Sequence, residues 1–182
     1  MKVFAVFLRI CGPIVRRLLL PACLLAGAAA PAFAIQEGRP APTLEARTLD
    51  GQVFRVAGAD GHVTVVHFWA TWCQPCRAEM PQIDAYYRAH RDEGLRVLAI
   101  SMDDPQDDAA VRAAMRDFAF PAAYRRDTRF GDYGRIWRMP MSFVIDRDGI
   151  LRKDGGVGDP LLLDRPLLDR IVGPLLGNGA AR

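Results

Sequence analysis

Cysteine is scarce in this 182-residue chain, which contains only four. Cys11 and Cys23 lie in the first 34 residues, and Cys73 and Cys76 are the other two. A structural zinc site usually needs four protein ligands, and the chain has no second pair of neighbouring cysteines to complete one. A stabilising disulfide gains from closing a long loop, whereas Cys73 and Cys76 enclose two residues. The scarcity therefore argues against structural zinc and against a purely structural disulfide.

Acidic residues are absent from the first 34 positions. This stretch has four basic residues, then an apolar block, then Ala32-Phe33-Ala34. The order is typical of an export signal, so residues 1–34 are predicted to be a signal peptide cut after Ala34. A retained membrane anchor is the alternative, although the apolar part from Leu18 to Ala34 is short for a span. Both interpretations predict a periplasmic domain, either soluble or tethered to the inner membrane.

A basic surface for nucleic acid is missing once the leader is set aside. Four of the 24 basic residues lie in the leader and all 21 acidic residues lie after it, which leaves a net charge of −1. No basic stripe with interleaved aromatic residues follows, so no nucleic-acid partner is expected. Residues 35–182 are long enough for one domain with a sizeable core.

Apolar patterns predict the strands. The nearly continuous runs Val63 to Ala70 and Leu95 to Ser101 are typical of strands buried on both faces. Asp-Gly pairs between apolar segments favour two hairpins. The first joins residues 44–47 to 52–55, and the second joins residues 141–145 to 150–153.

Helical spacing predicts three helices. The first starts near Cys76 and contains Pro81, where a kink is expected. The second begins at Asp104-Pro105, a capping residue followed by proline, and runs to about Phe118. The third covers roughly residues 164–176 and is interrupted by Pro174. The predicted order is a hairpin followed by β-α-β-α-β-β-α, an α/β domain.

The two cysteines of the CxxC sequence have different predicted roles. Cys73 stands where a buried strand ends and a helix begins, so backbone N–H groups and the helix dipole favour its thiolate. It is the predicted nucleophile, since the thiolate is the attacking form. Cys76 lies one helical turn later, near disulfide distance, and is the predicted buried resolving thiol. Gln74 and Pro75 between them are expected to help set the redox poise.

Copper(I) binding is an alternative use of the same cysteines. Thiolates combined with methionine are soft ligands, and Met80, Met139 and Met141 are available. Filling of the core is the favoured role of these methionines. His62 and His67 are five residues apart at a strand, which sends their side chains to opposite faces. The prediction is therefore no metal and no cofactor other than the redox-active Cys73–Cys76 pair.

Two longer stretches resemble one protein family. Trp69 to Pro81, WATWCQPCRAEMP, is similar to the active site of the bacterial TlpA/ResA-like thioredoxin-fold thiol-disulfide oxidoreductases. Arg138 to Gly149, RMPMSFVIDRDG, resembles a later family segment, and the similarity extends from about Pro42 to Leu176. The resemblance implies a thioredoxin-like fold, a central mixed sheet flanked by helices, with a β-hairpin added before it.

The resemblance also implies roles for individual residues. Pro140 corresponds to a proline with a cis peptide bond beside the cysteines, and Met139-Pro140 would help to bind the substrate chain. Glu79 corresponds to an acidic residue that accepts a proton as thiolate forms. His67 stands where the family commonly has asparagine and thioredoxin has a buried acid, so it would tune the site or relay protons.

Purely structural roles are the alternatives for these side chains. Glu79 could be an exposed helix residue, and His67 could be a buried histidine bonded to backbone. Trp69 and Trp72 are predicted to be packing residues, with Trp72 also shielding the Cys73 sulfur and contributing to the substrate surface.

The resulting hypothesis is an exported thiol:disulfide oxidoreductase that reduces protein disulfides and is recharged by a membrane electron donor. The direction of electron flow rests on the resemblance alone. One alternative is a dedicated cytochrome c maturation reductase acting on apocytochrome thiols. The other is a copper-binding chaperone built on a thioredoxin scaffold, since a fold does not determine a function.

Overall fold

A computed structural model describes residues 35–158 and 162–177 of the chain. The predicted export segment, residues 1–34, lies outside the described residues. Seven strands and four α-helices are present in the described part, with short 3₁₀ turns between some of them. The strands are β1 (Leu44–Thr48), β2 (Val53–Val56), β3 (Val63–Trp69), β4 (Leu95–Ser101), β5 (Ala122–Arg129), β6 (Met141–Ile145) and β7 (Leu151–Asp154). The helices are α1 (Gln74–His90), α2 (Asp108–Met115), α3 (Arg165–Ile171) and α4 (Gly173–Gly177).

The strands form one mixed sheet in the order β2-β1-β5-β4-β3-β6-β7. Strand β3 is an interior strand with every residue buried, and it lies parallel to the central strand β4 and antiparallel to β6. A strand covered on both faces needs mostly apolar side chains at consecutive positions, which explains the nearly continuous apolar run from Val63. The predicted central mixed sheet and both buried strands are confirmed.

Both predicted hairpins are present. Strand β1 pairs with β2 around Asp50-Gly51, and β6 pairs with β7 around Asp148-Gly149. Gly149 has a φ of +76° and packs against the backbone of Gly58 so closely that a Cβ atom would clash. A glycine is therefore required at this turn for two reasons, its backbone conformation and its lack of a side chain.

The predicted order of elements lacks strand β5, which the structure inserts between β1 and β4. Its first three residues pair in parallel with β4, and the strand also pairs antiparallel with β1. Only Ala122, Ala123 and Tyr124 are buried, and a polar RRDTR sequence follows. Neither the alternation nor the continuous apolar run that predicts a strand is present, because most of β5 is solvent-exposed.

Two predicted helices have different bounds. Asp104-Pro105 begins a 3₁₀ turn, Pro105–Asp107, without a capping bond from the Asp104 side chain, and α2 follows and ends at Met115 instead of near Phe118. After α2, the rings of Phe118 and Phe120 stack 5.4 Å apart in the turn that leads to β5. The last predicted segment is divided into α3 and α4, with Pro174 in the first turn of α4, where a missing N–H costs nothing.

Apolar side chains pack on both faces of the sheet. Alternate residues of β3 enter two different clusters, as the two-residue period of a strand requires. The first cluster contains both cysteines of the CxxC sequence and residues from all four helices. The second contains Val66 and Phe68 together with residues of β1, β6 and β7. Within the described residues, none of the helices is long and apolar enough to cross a membrane.

Candidate active site

The CxxC sequence lies at the junction between β3 and α1. Cys73 caps the helix: its backbone is extended, and its Sγ accepts a hydrogen bond from the Cys76 backbone N–H at 3.3 Å. Cys73 and Cys76 form a disulfide with their Cα atoms 5.3 Å apart. Cys73 retains 5% of its surface in solvent and Cys76 retains none. The structure thus places a capping sulfur at the helix start and a fully buried sulfur one turn inside.

Local sequence explains why the helix begins here. The Cys73 N–H donates to Ala70 O at 3.1 Å, which closes a tight turn after β3. Pro75 occupies the first turn of α1, where its missing N–H leaves no bond unmade. Gln74 and Pro75 are both exposed, so the residues expected to set the redox poise face solvent beside the disulfide.

The two tryptophans near the disulfide have opposite environments. Trp69 is fully buried in the first cluster, as predicted for a packing residue. Trp72 is 67% exposed, so the prediction that it packs is wrong. It lies in the turn between strand and helix, outside both apolar clusters. Its predicted contribution to a substrate surface requires exposure and stays a prediction.

Met139 and Pro140 lie directly before β6. The peptide bond between them is cis, which confirms the geometry that the resemblance implied. Pro140 is buried, and Met139 is half-buried and packs against the cluster that contains both cysteines. The structure therefore brings this segment and the CxxC sequence to the same apolar cluster, while its substrate-binding role stays a prediction.

His67 on β3 and Glu79 on α1, the helix that contains Cys76, form a buried pair. His67 Nε2 lies 3.5 Å from Glu79 Oε1, and the two side chains are 0% and 3% exposed. Glu79 Oε2 accepts the Leu163 N–H at 2.6 Å, and His67 Nδ1 bonds to Ser142 Oγ at 2.9 Å. Glu79 is thus not an exposed helix residue, and the His67 ring bonds to a side chain instead of the backbone.

Burial shifts the pKa values of this pair in opposite directions. Loss of hydration disfavours the charged form of each group. Burial raises the pKa of Glu79 to about 8, although the Leu163 N–H acts in the lowering direction. Burial lowers the pKa of His67 to about 3. Around neutral pH the pair therefore consists of a protonated Glu79 beside a neutral imidazole, a site without net charge.

Asp103 is a buried carboxylate near the CxxC sequence that the sequence analysis did not identify. It follows β4 and is 9% exposed. Its oxygens accept bonds from the Thr71 backbone and hydroxyl and from the Ser101 hydroxyl. The available signal is its position two residues after Ser101, where the second predicted buried strand ends. Parallel strands end at the same edge of a sheet.

Metal ligands are sparse in this region. Among the residues that the structure describes, no group of three or more histidine, cysteine, aspartate or glutamate side chains is arranged to hold a metal ion. Copper(I) binding by the two cysteines with methionine sulfur stays a prediction.

Comparisons with known proteins place this geometry in a family. Residues 37–154 match the model of the AhpC/TSA family. The thiol-disulfide oxidoreductase ResA of Bacillus cereus is 29% identical over 115 residues, which span 63% of this chain and 66% of that protein. ResA of Geobacillus thermodenitrificans is 30% identical over 121 residues, spanning 66% of this chain and 69% of that protein. The chain thus matches about two thirds of the length of these relatives.

A solved structure is also similar over almost the whole described fold. It is a thiol:disulfide interchange protein of the thioredoxin family from Chlorobium tepidum. The two chains superpose with a TM-score of 0.62 at 28% sequence identity, covering 79% of this chain and 100% of the other. The predicted thioredoxin-like architecture is confirmed by this match.

Proposed function

This chain belongs to the AhpC/TSA family, and from that premise we propose that it is an exported thiol:disulfide oxidoreductase that reduces protein disulfides through Cys73 and Cys76. One observation carries the proposal: the two sulfurs are already bonded to each other at the start of α1, and only Cys73 has any surface in solvent. A bonded pair of this kind stores two electrons when it is reduced. The Cys73 sulfur is placed to attack a substrate disulfide, and the Cys76 sulfur is placed to release the substrate afterwards.

The reaction is dithiol–disulfide exchange. In the reduced enzyme, the Cys73 thiolate attacks one sulfur of a substrate disulfide, and the other substrate sulfur leaves as a thiolate that takes up a proton. Cys76 then loses its proton and attacks the Cys73 sulfur of the mixed disulfide. This step releases the second substrate thiol and forms the Cys73–Cys76 bond present in the structure. Two electrons move from enzyme to substrate.

His67 and Glu79 tune this site or transfer its protons. Glu79 follows Cys76 by three residues, so both side chains project from one face of α1. An ionised carboxylate there would oppose formation of a Cys76 thiolate, because like charges repel in a buried environment. The raised pKa of Glu79, about 8, keeps the carboxyl neutral around pH 7 and removes that repulsion.

The exposed and half-buried residues around the disulfide receive the substrate. Trp72 offers an apolar surface beside Cys73, and Met139 and Pro140 lie against the cluster that contains both cysteines. The backbone of Met139 would pair with an extended substrate segment as an added strand. Gln74 and Pro75 contribute to the redox poise. The substrates are protein disulfides, including an apocytochrome disulfide whose reduction yields the apocytochrome thiols, and no nucleic-acid partner is proposed.

Export and recharging complete the proposal. Residues 1–34 have the charge and apolar pattern of a signal peptide, which supports a periplasmic location with or without a tether to the inner membrane. A reductant in that oxidising compartment needs electrons from elsewhere, and a membrane electron donor is the proposed source. A dedicated role in cytochrome c maturation is the narrower version of the same chemistry.

Insulin reduction combined with copper titration tests the proposal. We expect the reduced protein to cleave insulin disulfides, and Cys73→Ser to lose this activity because the attacking thiolate is gone. Copper(I) should bind no more tightly than to a small dithiol, since the proposal assigns the two sulfurs to exchange chemistry and gives the methionines a packing role. Tight copper binding without insulin reduction would favour the copper chaperone instead.

A further inference from the structure

The Asp103 carboxylate ties together two loops at one edge of the sheet. Oδ1 accepts bonds from the Thr71 backbone N–H at 3.1 Å and the Thr71 hydroxyl at 2.6 Å. Oδ2 accepts the same N–H at 3.0 Å and the Ser101 hydroxyl at 2.8 Å. Thr71 lies in the turn between β3 and α1, and Asp103 follows β4. One side chain therefore connects the loop after β4 to the loop that carries the CxxC sequence.

The sheet brings these loops together. Trp69 and Ser101 are partners in the parallel pairing of β3 with β4 and are the last residues of both strands. The Met102 N–H continues the pairing with a bond to Trp69 O at 2.8 Å. Asp103 then stands opposite the turn, where it meets Thr71. The contact is a consequence of strand register.

Aspartate suits these neighbours better than asparagine, the other side chain of its size. Every polar group that faces its oxygens donates a hydrogen bond, and a carboxylate is an acceptor at both oxygens. Asparagine would direct its NH₂ group at one of these donors. In the described part of the chain, no cationic side chain forms an ion pair with Asp103, so the hydrogen bonds from Thr71 and Ser101 are its main stabilising contacts.

Trp72 depends on this turn for its position. The residue is 67% exposed and belongs to neither apolar cluster, so little side-chain packing fixes it. Its backbone is held between Thr71, which bonds to Asp103, and Cys73, whose N–H bonds to Ala70 O. We propose that Asp103 is a positioning residue that fixes Thr71, and through it the exposed Trp72 beside Cys73, for docking of protein disulfides.

This inference rests on the proposed function and predicts a difference between substrates. A protein disulfide uses both the nucleophile and the surrounding surface, whereas oxidised glutathione needs little more than the nucleophile. In Asp103→Asn, kcat/KM for insulin should fall about tenfold through a higher KM, comparable to losing one charge-assisted hydrogen bond. The second-order rate constant of the reduced enzyme with oxidised glutathione should change less than about threefold, since Cys73 still caps α1.

Matched variants separate positioning from general damage. Asp104→Asn makes the same chemical change at the neighbouring exposed position and should behave as wild type. Thr71→Val removes the hydroxyl bond and should reproduce part of the insulin defect. Thr71→Ser keeps a hydroxyl and should reduce insulin as the wild type does. These threonine variants also decide the question if Asp103→Asn does not fold.

Equal losses with both substrates, accompanied by a lower melting temperature, would overturn the inference in favour of a general structural role. Unchanged kinetics in Asp103→Asn and Thr71→Val would overturn it as well. Failure of the wild-type protein with both insulin and glutathione is a different result, because it would contradict the proposed function itself.

Discussion

The His67–Glu79 pair makes stability depend on pH at the scale of single residues. Glu79 has a folded pKa of about 8 against an ordinary value of 4.5. The stability that it contributes is therefore fully present below pH 4.5 and is lost as the pH rises to about 8. His67 has a folded pKa of about 3 against 6.5, so burying it neutral costs stability that is recovered as pH rises to 6.5. The two effects oppose each other between pH 4.5 and 6.5.

Glu79→Gln should remove the part of this pH dependence in which stability falls as the pH rises. In the oxidised wild type, this pair should make the free energy of unfolding fall from pH 6.5 to 8, by at most about 1.4 kcal/mol per pH unit. The glutamine variant has no proton to lose, so its stability should stay level over that range. Urea unfolding at pH 5, 6.5 and 8 measures the difference.

The control for this experiment is Asp92→Asn, which neutralises a carboxylate that is 95% exposed. It should keep the wild-type pH dependence because solvent screens an exposed charge. A slope in Glu79→Gln equal to that of the wild type between pH 6.5 and 8 would show that Glu79 is already ionised in the folded protein.

Single residues differ in how far the sequence reveals their surroundings. Cys73 and Cys76 are recognisable because their chemistry depends on a spacing of three along one helix. Glu79 could have been placed in the interior, since it lies on the same helical face as Cys76 and Ile83, but charged residues are usually exposed. The contacts of Asp103 could not be predicted, because they depend on the register between β3 and β4.

At the scale of elements, the N-terminus of α1 distinguishes the two cysteines. Only the Cys73 sulfur accepts the N–H of Cys76, and only Cys73 has surface in solvent. We therefore expect the Cys73 thiol to have a pKa below that of a free cysteine and to react first with iodoacetamide. Alkylation of the reduced protein from pH 5 to 9, followed by peptide mass analysis, measures both properties. Preferential labelling of Cys76 would reverse the assigned roles.

The loop after β7 packs unusually closely on β6. A Cβ atom at Gly155 would lie inside van der Waals contact with the backbone of Ser142, the residue whose hydroxyl bonds to His67. Backbone atoms cannot rotate away as a side chain does. Gly155→Ala should therefore lower the free energy of unfolding by about 1–3 kcal/mol.

Gly131→Ala is the matched control, because nothing lies within 4 Å of its Cβ position and its φ is not positive. Its unfolding free energy should stay within about 0.5 kcal/mol of wild type. Equal stability of the two alanine variants in urea would mean that the β7 loop accommodates a side chain by a small shift.

Elements with a strong apolar pattern were predictable, and those fixed by distant pairing were not. Strands β3 and β4 are buried throughout, so their composition alone indicates them. Strand β5 has a polar second half and exists because β1 and β4 supply its partners. Likewise, α2 ends at Met115, and the stacking of the Phe118 and Phe120 rings after it is a contact that no local propensity describes.

At the scale of the whole molecule, the sheet collects the site from distant parts of the chain. Ser142 and His67 are 75 residues apart and Leu163 and Glu79 are 84 residues apart, yet both pairs are hydrogen-bonded, and His67 lies 3.5 Å from Glu79. The site therefore requires the complete fold. Its function is tested most directly with partners present.

The resolving role of Cys76 predicts covalent trapping of those partners. In Cys76→Ser the Cys73 thiolate can still attack a substrate disulfide, but no buried thiol remains to release the mixed disulfide. Partner proteins should therefore accumulate as adducts. Cys73→Ser has no exposed nucleophile, because Cys76 is fully buried, and should trap little. A copper chaperone would instead lose metal affinity in both variants without forming reducible adducts.

Non-reducing gels of periplasm from cells that express each variant measure the trapped species, and reduction before electrophoresis should release them. A variant with both cysteines changed to serine is the control for adducts that form elsewhere on the chain. We expect several-fold more adduct in Cys76→Ser than in Cys73→Ser, since attack on a fully buried sulfur requires local opening. Equal trapping by the two single variants, or none by either, would contradict the division of roles between nucleophile and resolving thiol.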